Sequence, residues 1–384
     1  MSDGSVPDVS ARLRLLRTSG VGPVTYRQLL SRFGTAERAI EALPQLARRG
    51  GGEPPRVPDR SFVEREQAAA AKAGARYLFA GEADYPPLLA ELDNAPVALL
   101  VRGDVALARR TAIAIVGARN ASAAACRFAR QLAYDLADAG ASVVSGLARG
   151  IDTAAHVGSL GGGTIAVIAG GIDVVFPPEN RDLQEQVAQQ GLLVAEMPPG
   201  TEPRARHFPY RNRIIAGIAG GTVVVEAAPK SGSLITARLA TEAGREVMAV
   251  PGSPLDPRAQ GCNLLIREGA TLVQTAADVL EQVRPLDPRS VRAPTGFFAA
   301  APPDDATDRD RARVTNLLGP VPVGVDEIIR QAALPPAVVQ TVLLELELAG
   351  RLERHAGGRV SLVWMSPING NGYRGLDRRR KRLG

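Results

Sequence analysis

From Ala75 onward, short apolar runs alternate with stretches of helical periodicity, and few folds accept that order. The runs are Arg76–Phe79, Ala98–Val101, Ala112–Val116, Ser142–Val144, Ile165–Ile168, Leu192–Ala195, Thr222–Val225, Val247–Val250 and Thr271–Val273. Strands apolar along most of their length must be covered on both faces, and intervening helices supply the cover. The expectation is an α/β fold, a mostly parallel sheet covered by helices. Such sheets bind ligands at the loops leaving the strand C-terminal ends. Those loops therefore carry the functional information.

Five of them share one chemistry. Gly117-Ala118-Arg119-Asn120 follows Ala112–Val116. Glycine permits close backbone approach, and arginine reaches phosphate. Ser145-Gly146-Leu147-Ala148-Arg149-Gly150-Ile151-Asp152 follows the next strand, and Gly170-Gly171-Ile172-Asp173 the one after. The remaining two lie in the stretch from Glu202 to Thr236. A polar loop carrying Arg204, Arg206, His207 and Phe208 precedes a helix expected from Tyr210, with Arg211, Asn212 and Arg213 in its first turn. Pro229-Lys230-Ser231-Gly232-Ser233 then opens another helix. Helix starts offer free N–H groups and a positive dipole end. One Gly/Arg loop is weak evidence, but five on one sheet edge point to an extended polyanion site with an aromatic face for a base.

Ordinary structural roles compete for the remaining polar residues. Asp152 reads as a helix N-cap, and His156 as a packing or hydrogen-bonding residue. Glu226, at a strand end, is the one candidate general base, and a partner of backbone or arginine otherwise. His207 beside Phe208 is the histidine with a functional setting.

Several chemistries lack their motifs. The loop after Val116 departs from Gly-x-Gly-x-x-Gly, so a dinucleotide cofactor is not expected. Pro229–Ser233 imitates part of a phosphate loop without its full order, and magnesium-dependent ATP hydrolysis is not expected. No Gly-x-Ser-x-Gly elbow occurs. The three histidines and the two cysteines, Cys126 and Cys262, lack metal-ligand spacing. Neither metal nor cofactor is expected, and free thiols fit a reducing cytosol. Apolar runs stay short of membrane-spanning length, so a cytoplasmic protein with no membrane partner is expected. A net charge of +6, carried almost entirely by arginine, is compatible with nucleic acid.

At 384 residues the chain is long enough for more than one domain. Residues 1–72 read as a small helical domain. Its Ser19-Gly20-Val21-Gly22-Pro23 resembles the turn of helix-hairpin-helix and SAM-like modules, a tight helix connection being the plainer alternative. Residues 73–285 hold the sheet, and 286–306 a Pro/Ala/Asp-rich linker. Residues 307–365 show three helical patterns and a hairpin around Gly357-Gly358, a winged-helix arrangement. Its third helix offers Gln340 and Thr341 against Glu345 and Glu347, which argues against duplex reading and for docking or self-association. Residues 366–384 form a basic tail.

Gly117-Ala118-Arg119, Ser145 through Asp152, Phe208-Pro209-Tyr210-Arg211-Asn212-Arg213-Ile214-Ile215, Lys230 through Ala237 and Pro251-Gly252 together resemble the DNA-processing protein A (DprA/Smf) family. The motifs occur in the family's order over roughly the central half of the chain. The resemblance implies a Rossmann-like core that binds single-stranded DNA, a homodimer, protection of incoming strands in natural transformation, and loading of a RecA-type recombinase. No catalytic residue is expected, since Glu226, His207 and Asp152 each have an ordinary structural role. Residue by residue, the resemblance makes Arg119 a phosphate contact and Phe208 a base-stacking side chain. Arg211, Asn212, Arg213, Ser145, Gly146 and Lys230 would line the same pocket. Gly117, Arg149, Ser231 and Ser233 complete the expected DNA-binding set. Where the family often carries lysine shortly before Phe-Pro, this chain carries Arg204 and Arg206. The competing function is a nucleotide-phosphate hydrolase of related fold, from Gly220-Gly221-Thr222 with Glu226.

Overall fold

The computed structural model describes residues 8–283, 305–355 and 357–363. They form two compact units, Met1–Ala39 with Val57–Ala299, and Ile40–Arg56 with Ala300–Gly384. In chain order the helices before the sheet are α1 (Val9–Leu16), α2 (Pro23–Phe33), α3 (Ala36–Arg49) and α4 (Arg60–Lys72). The sheet strands are β1 (Arg76–Phe79), β2 (Ala98–Gly103), β3 (Ala112–Gly117), β4 (Ser142–Ser145), β5 (Thr164–Gly171), β6 (Leu192–Met197), β7 (Gly221–Val225), β8 (Glu246–Ala249) and β9 (Thr271–Leu272). Between and after them lie α5 (Pro87–Ala90), α6 (Ala123–Asp138), α7 (Ile151–Ser159), α8 (Arg181–Gln190), α9 (His207–Ile218), α10 (Gly232–Glu242), α11 (Gln260–Arg267) and α12 (Ala276–Gln282).

All nine expected strands form within a residue or a few of their predicted ends. They make one sheet in the order β1-β2-β6-β5-β4-β3-β7-β8-β9. Strands β3 to β9 are mutually parallel, while β2 runs antiparallel to β6 and β1 antiparallel to β2. The period-two logic of a doubly covered strand is plain in β3. Ala112, Ala114 and Val116 face one core with Ile214 and Ile215 of α9, while Ile113 and Ile115 face the other with Leu132 and Leu136 of α6. Helix α6 supplies its face through Ala125, Ala129, Leu132, Ala133 and Leu136, a helical stripe. Leu136 has no exposed surface, so Leu136→Ala would cost about 2–5 kcal/mol.

Chain order reverses at β3. The chain proceeds from β3 through β4, β5 and β6 to one side, then returns to lay β7, β8 and β9 on the other. The loops after β3 and β7 therefore part company at adjacent strands, the topological switch point where doubly wound sheets open a crevice.

The second unit holds α13 (Asp308–Asn316), α14 (Val325–Ala332) and α15 (Pro336–Leu348). With them β10 (Val323–Gly324), β11 (Leu352–His355) and β12 (Arg359–Leu362) form a three-stranded antiparallel sheet in the order β10-β12-β11. This is the winged helix, with a third short strand that the sequence pattern missed. The acidic residues of α15 are engaged internally. Arg311 donates to both oxygens of the buried Glu345 at 2.8 and 2.9 Å, and Arg354 donates to Glu347 at 2.8 Å. Ile40–Arg56 clusters with this unit. Arg49 pairs with Asp305 at 2.5 Å, and Arg351 donates to the Gly50 carbonyl at 2.9 Å. The basic tail at 366–384 lies outside the described residues, as does the 286–306 linker apart from its last two positions.

Candidate nucleic-acid interface

The β3 loop reaches the sheet edge because Gly117 leaves no room for a side chain. A Cβ there would overlap the Val225 carbonyl of the neighbouring strand and press on Ile151. Arg119 and Asn120 then stand exposed at the switch point. The β7 loop answers from the other side. Lys230 sits at φ +67°, a left-handed conformation that costs a non-glycine residue about 1–2 kcal/mol. Ser231 caps α10, accepting from the Ser233 N–H, and its hydroxyl meets the Ser233 hydroxyl at 2.8 Å. Leu147 and Glu226, also at strand ends, share the positive φ. Strain of this kind collects at functional loops.

Between these loops lies an open groove of about 800 Å³, lined by Gly117, Arg119, Asn120, Phe208, Arg211, Asn212, Lys230, Ser231 and Ser233 among others. A narrower cleft adjoins it, sharing Arg119, Ala148, Phe208 and Arg211 and adding Gly146, Arg149, Gly170, Phe176 and Pro203. All five loops singled out in the sequence thus border one continuous depression.

Arg211 is its electrostatic centre. The side chain is only 7% exposed and lies 3.9 Å from Asp152, itself 8% exposed. Its Nε has no hydrogen-bond partner. Burial pulls the Arg211 pKa down, Asp152 pulls it up, and Arg119 adds a smaller downward push. Arginine nevertheless stays charged in proteins. Burial likewise pushes the Asp152 carboxyl above its ordinary range, against Arg211 and the N–H groups of Ala148 and Gly146. One carboxylate faces two guanidiniums here, so the groove keeps a positive excess that an anionic ligand would neutralise.

Phe208 carries the ring. The Arg119 guanidinium lies 5.0 Å from its centroid and that of Arg211 5.9 Å, both within cation–π range. Asn212 lies within 3.5 Å of the Gly232 carbonyl and ties α9 to the start of α10.

Several expectations need correction. Helix α9 starts at His207 rather than Tyr210, because the His207 ring accepts the Arg204 N–H and closes the first turn. Asp152 does not cap α7, whose N-cap is Gly150; its carboxylate accepts the N–H groups of Gly146 and Ala148 at 3.2 and 3.3 Å. Those loop donors are therefore already used. Ser145 is fully buried and donates to the Ile115 carbonyl at 2.7 Å, away from the groove. Arg213 turns away from it, donating to Glu196 and to the Asn94 carbonyl. A helix separates adjacent residues by about 100°, so Arg211 and Arg213 cannot share a face. Arg204 and Arg206 are exposed on either side of Ala205, which lines the groove in their place. Glu226 is committed to Ser122, accepting its N–H at 2.8 Å and its hydroxyl at 2.6 Å. His156 is buried beneath the loop, as its packing reading had it. The sequence reading missed Phe176 and Arg258; for Phe176 the available signal was an aromatic just after the Gly170–Asp173 loop.

Fold and site together define a Rossmann-like α/β protein with a cationic, ring-lined groove at its switch point. Comparison with known proteins narrows the class. The family model for DNA recombination-mediator protein A matches residues 76–284. A DprA-like N-terminal HHH domain matches 7–69, and a DprA winged helix domain 298–358. The Smf protein of Synechocystis is 32% identical over 89% of this chain and 96% of its own length. The DNA processing protein DprA of Streptococcus pneumoniae is 46% identical over 52% of this chain and 71% of its own. The X-ray structure of DprA from Streptococcus pneumoniae superposes with a TM-score of 0.62, at 33% identity, over 73% of this chain and 99% of that one. A Helicobacter pylori DprA structure, described for its single-stranded DNA binding mode, gives 0.50 at 26% identity over 55% of this chain and 97% of its own. The chain belongs to the DprA/Smf family of DNA-processing proteins.

Proposed function

We propose that this protein binds single-stranded DNA in the groove, with phosphates held on the Arg119, Arg211 and Lys230 side and a base on Phe208. The observation that carries the reading is Arg211: a buried guanidinium with a free Nε and a carboxylate no closer than 3.9 Å, in a groove with positive excess. A buried guanidinium whose one carboxylate neighbour is not in hydrogen-bond contact still favours a further anion nearby. Guanidinium and ring side by side suit a strand that alternates phosphate and base. The single-stranded DNA binding described for the Helicobacter pylori relative supports the same ligand.

The protein acts on this reading as a binding protein, not a hydrolase. Glu226, the candidate base, already accepts two hydrogen bonds from Ser122 and sits in a structural role. The proposal extends to protection of the bound strand in a homodimer and its transfer to a RecA-type recombinase, a reading supported by the match to the DNA recombination-mediator protein A family. Titration with a labelled thymidine oligomer, its duplex and a mononucleotide tests the reading. Tight binding of the oligomer alone is expected. Mononucleotide preference with turnover that disappears in Glu226→Gln would reverse it.

A further inference from the structure

We infer that Phe176 is a second base-contacting residue, and that with Phe208 it gives the site its preference for unpaired over paired strands. The inference rests on the single-strand reading above and adds to it a residue and a basis for discrimination.

Phe176 is 45% exposed, one of two exposed phenylalanines among the described residues. It is not stranded on a convex surface. It lines the narrow cleft beside the groove, together with Phe208, Arg149 and Arg211. Its ring centroid lies 5.9 Å from that of Phe208, with the planes 59° apart. Parallel faces around a sandwiched base would need about twice the ~3.5 Å contact distance between them. The two rings are too close and too tilted for that. They instead present two apolar faces at an angle, which suits a base lying on one ring with its edge or its neighbour against the other.

The loops hold this opening in place. At Gly170, a Cβ would come within 2.9 Å of the Thr201 carbonyl and 3.2 Å of Pro203, so glycine lets the Pro203 loop close over the cleft wall. On the other wall, Gly146 admits the Arg211 guanidinium. Arg119, Arg211 and the Phe208 ring belong to groove and cleft alike, while the cleft adds the Phe176 ring and Arg149, the latter 3.5 Å from Glu179. A strand lying with phosphates along the groove would turn bases toward the cleft. Bases in a duplex are stacked and paired, and reaching these rings would require opening them.

The test uses the full chain with Phe176→Leu, which keeps apolar bulk but removes the ring face, and Phe176→Tyr, which keeps the face. Ligands are a thymidine oligomer, an abasic oligomer of equal length, and a duplex. Phe176→Leu should weaken thymidine-oligomer binding at least about fivefold. It should leave abasic and duplex binding, and the salt dependence, as in the parent. Phe176→Tyr should restore the parent value. Unchanged oligomer affinity in Phe176→Leu, with Phe208→Leu weakened, would overturn the inference and leave the single-strand reading standing. Equal losses on thymidine and abasic oligomers would also overturn it, since they would mark a purely structural role. A parent that does not bind the oligomer would remove the single-strand reading and this inference with it.

Discussion

The Arg211 guanidinium lies where the side chain of residue 146 would be. A Cβ at Gly146 would overlap its Nη1 and crowd its Cζ. The strand-end glycine and the buried arginine, 65 positions apart in the chain, therefore form one feature. The nearest obstacle to a larger residue is the end of a flexible side chain rather than backbone, so Gly146→Ala should fold with Arg211 displaced. Loss of a charge-assisted contact is worth about 1.5–3 kcal/mol, roughly 10- to 150-fold in affinity. Both Gly146→Ala and Arg211→Ala should weaken oligomer binding on that scale, with Gly146→Ala retaining a cooperative melt. Parent-like binding by Gly146→Ala would mean that Arg211 does not touch the ligand.

Arg119 is the exposed counterpart. Arg119→Ala should leave stability unchanged and weaken oligomer binding. The log–log salt slope should fall by roughly 0.7, the value for one single-strand phosphate. The measurement is a titration series at several salt concentrations.

Phe208 is only partly buried, and two guanidiniums lie near its ring. Phe208→Ala should reduce oligomer binding by about 1–3 kcal/mol, the scale of one stacked base. A drop in melting temperature without loss of affinity would identify a packing residue instead.

His156 supplies a pH signature. Burial, then the nearby Arg211 charge, pulls its pKa from 6.5 down to about 3. Its Nε2 accepts the Leu147 N–H, so Nδ1 carries the proton and donates to the Thr164 hydroxyl at 2.8 Å. The unfolded chain binds a proton near pH 6.5, and the folded chain only near 3. The stability His156 contributes is thus complete above pH 6.5 and declines as pH falls toward 3, by up to about 1.4 kcal/mol per pH unit. Urea midpoints at pH 7 and pH 5 should differ less in His156→Gln than in the parent.

The sheet unit contains every groove residue. A chain ending at Val283 should therefore keep its affinity for the oligomer. Arg49 and Gly50 would lose Asp305, Glu345 and Arg351 as partners. Limited proteolysis should then cut faster within residues 40–56. Abolished binding by the folded truncation would move the site to the winged-helix unit.

The amino-acid sequence by itself determined the nine strands, the sheet class and the five loops. Those are local properties: apolar runs of strand length, glycines at turns, and basic residues next to helix starts. The sequence likewise determined that Arg119 and Lys230 lie in loops leaving strand C-terminal ends. Only the tertiary structure decided which neighbours in the chain became neighbours in the site. Arg211 and Arg213 are two positions apart, yet helix geometry turns one into the groove and the other to Glu196. Ser145 and Gly146 are adjacent, yet one bonds the Ile115 carbonyl and the other receives Arg211. Phe176 and Phe208 are far apart in the chain and meet because β5 and α9 pack together. Asp152 became the partner of a loop and an arginine rather than a cap, because strand order placed α7 and α9 against one crevice. Direction of a side chain and company across the sheet are long-range packing outcomes, and no local pattern encodes them.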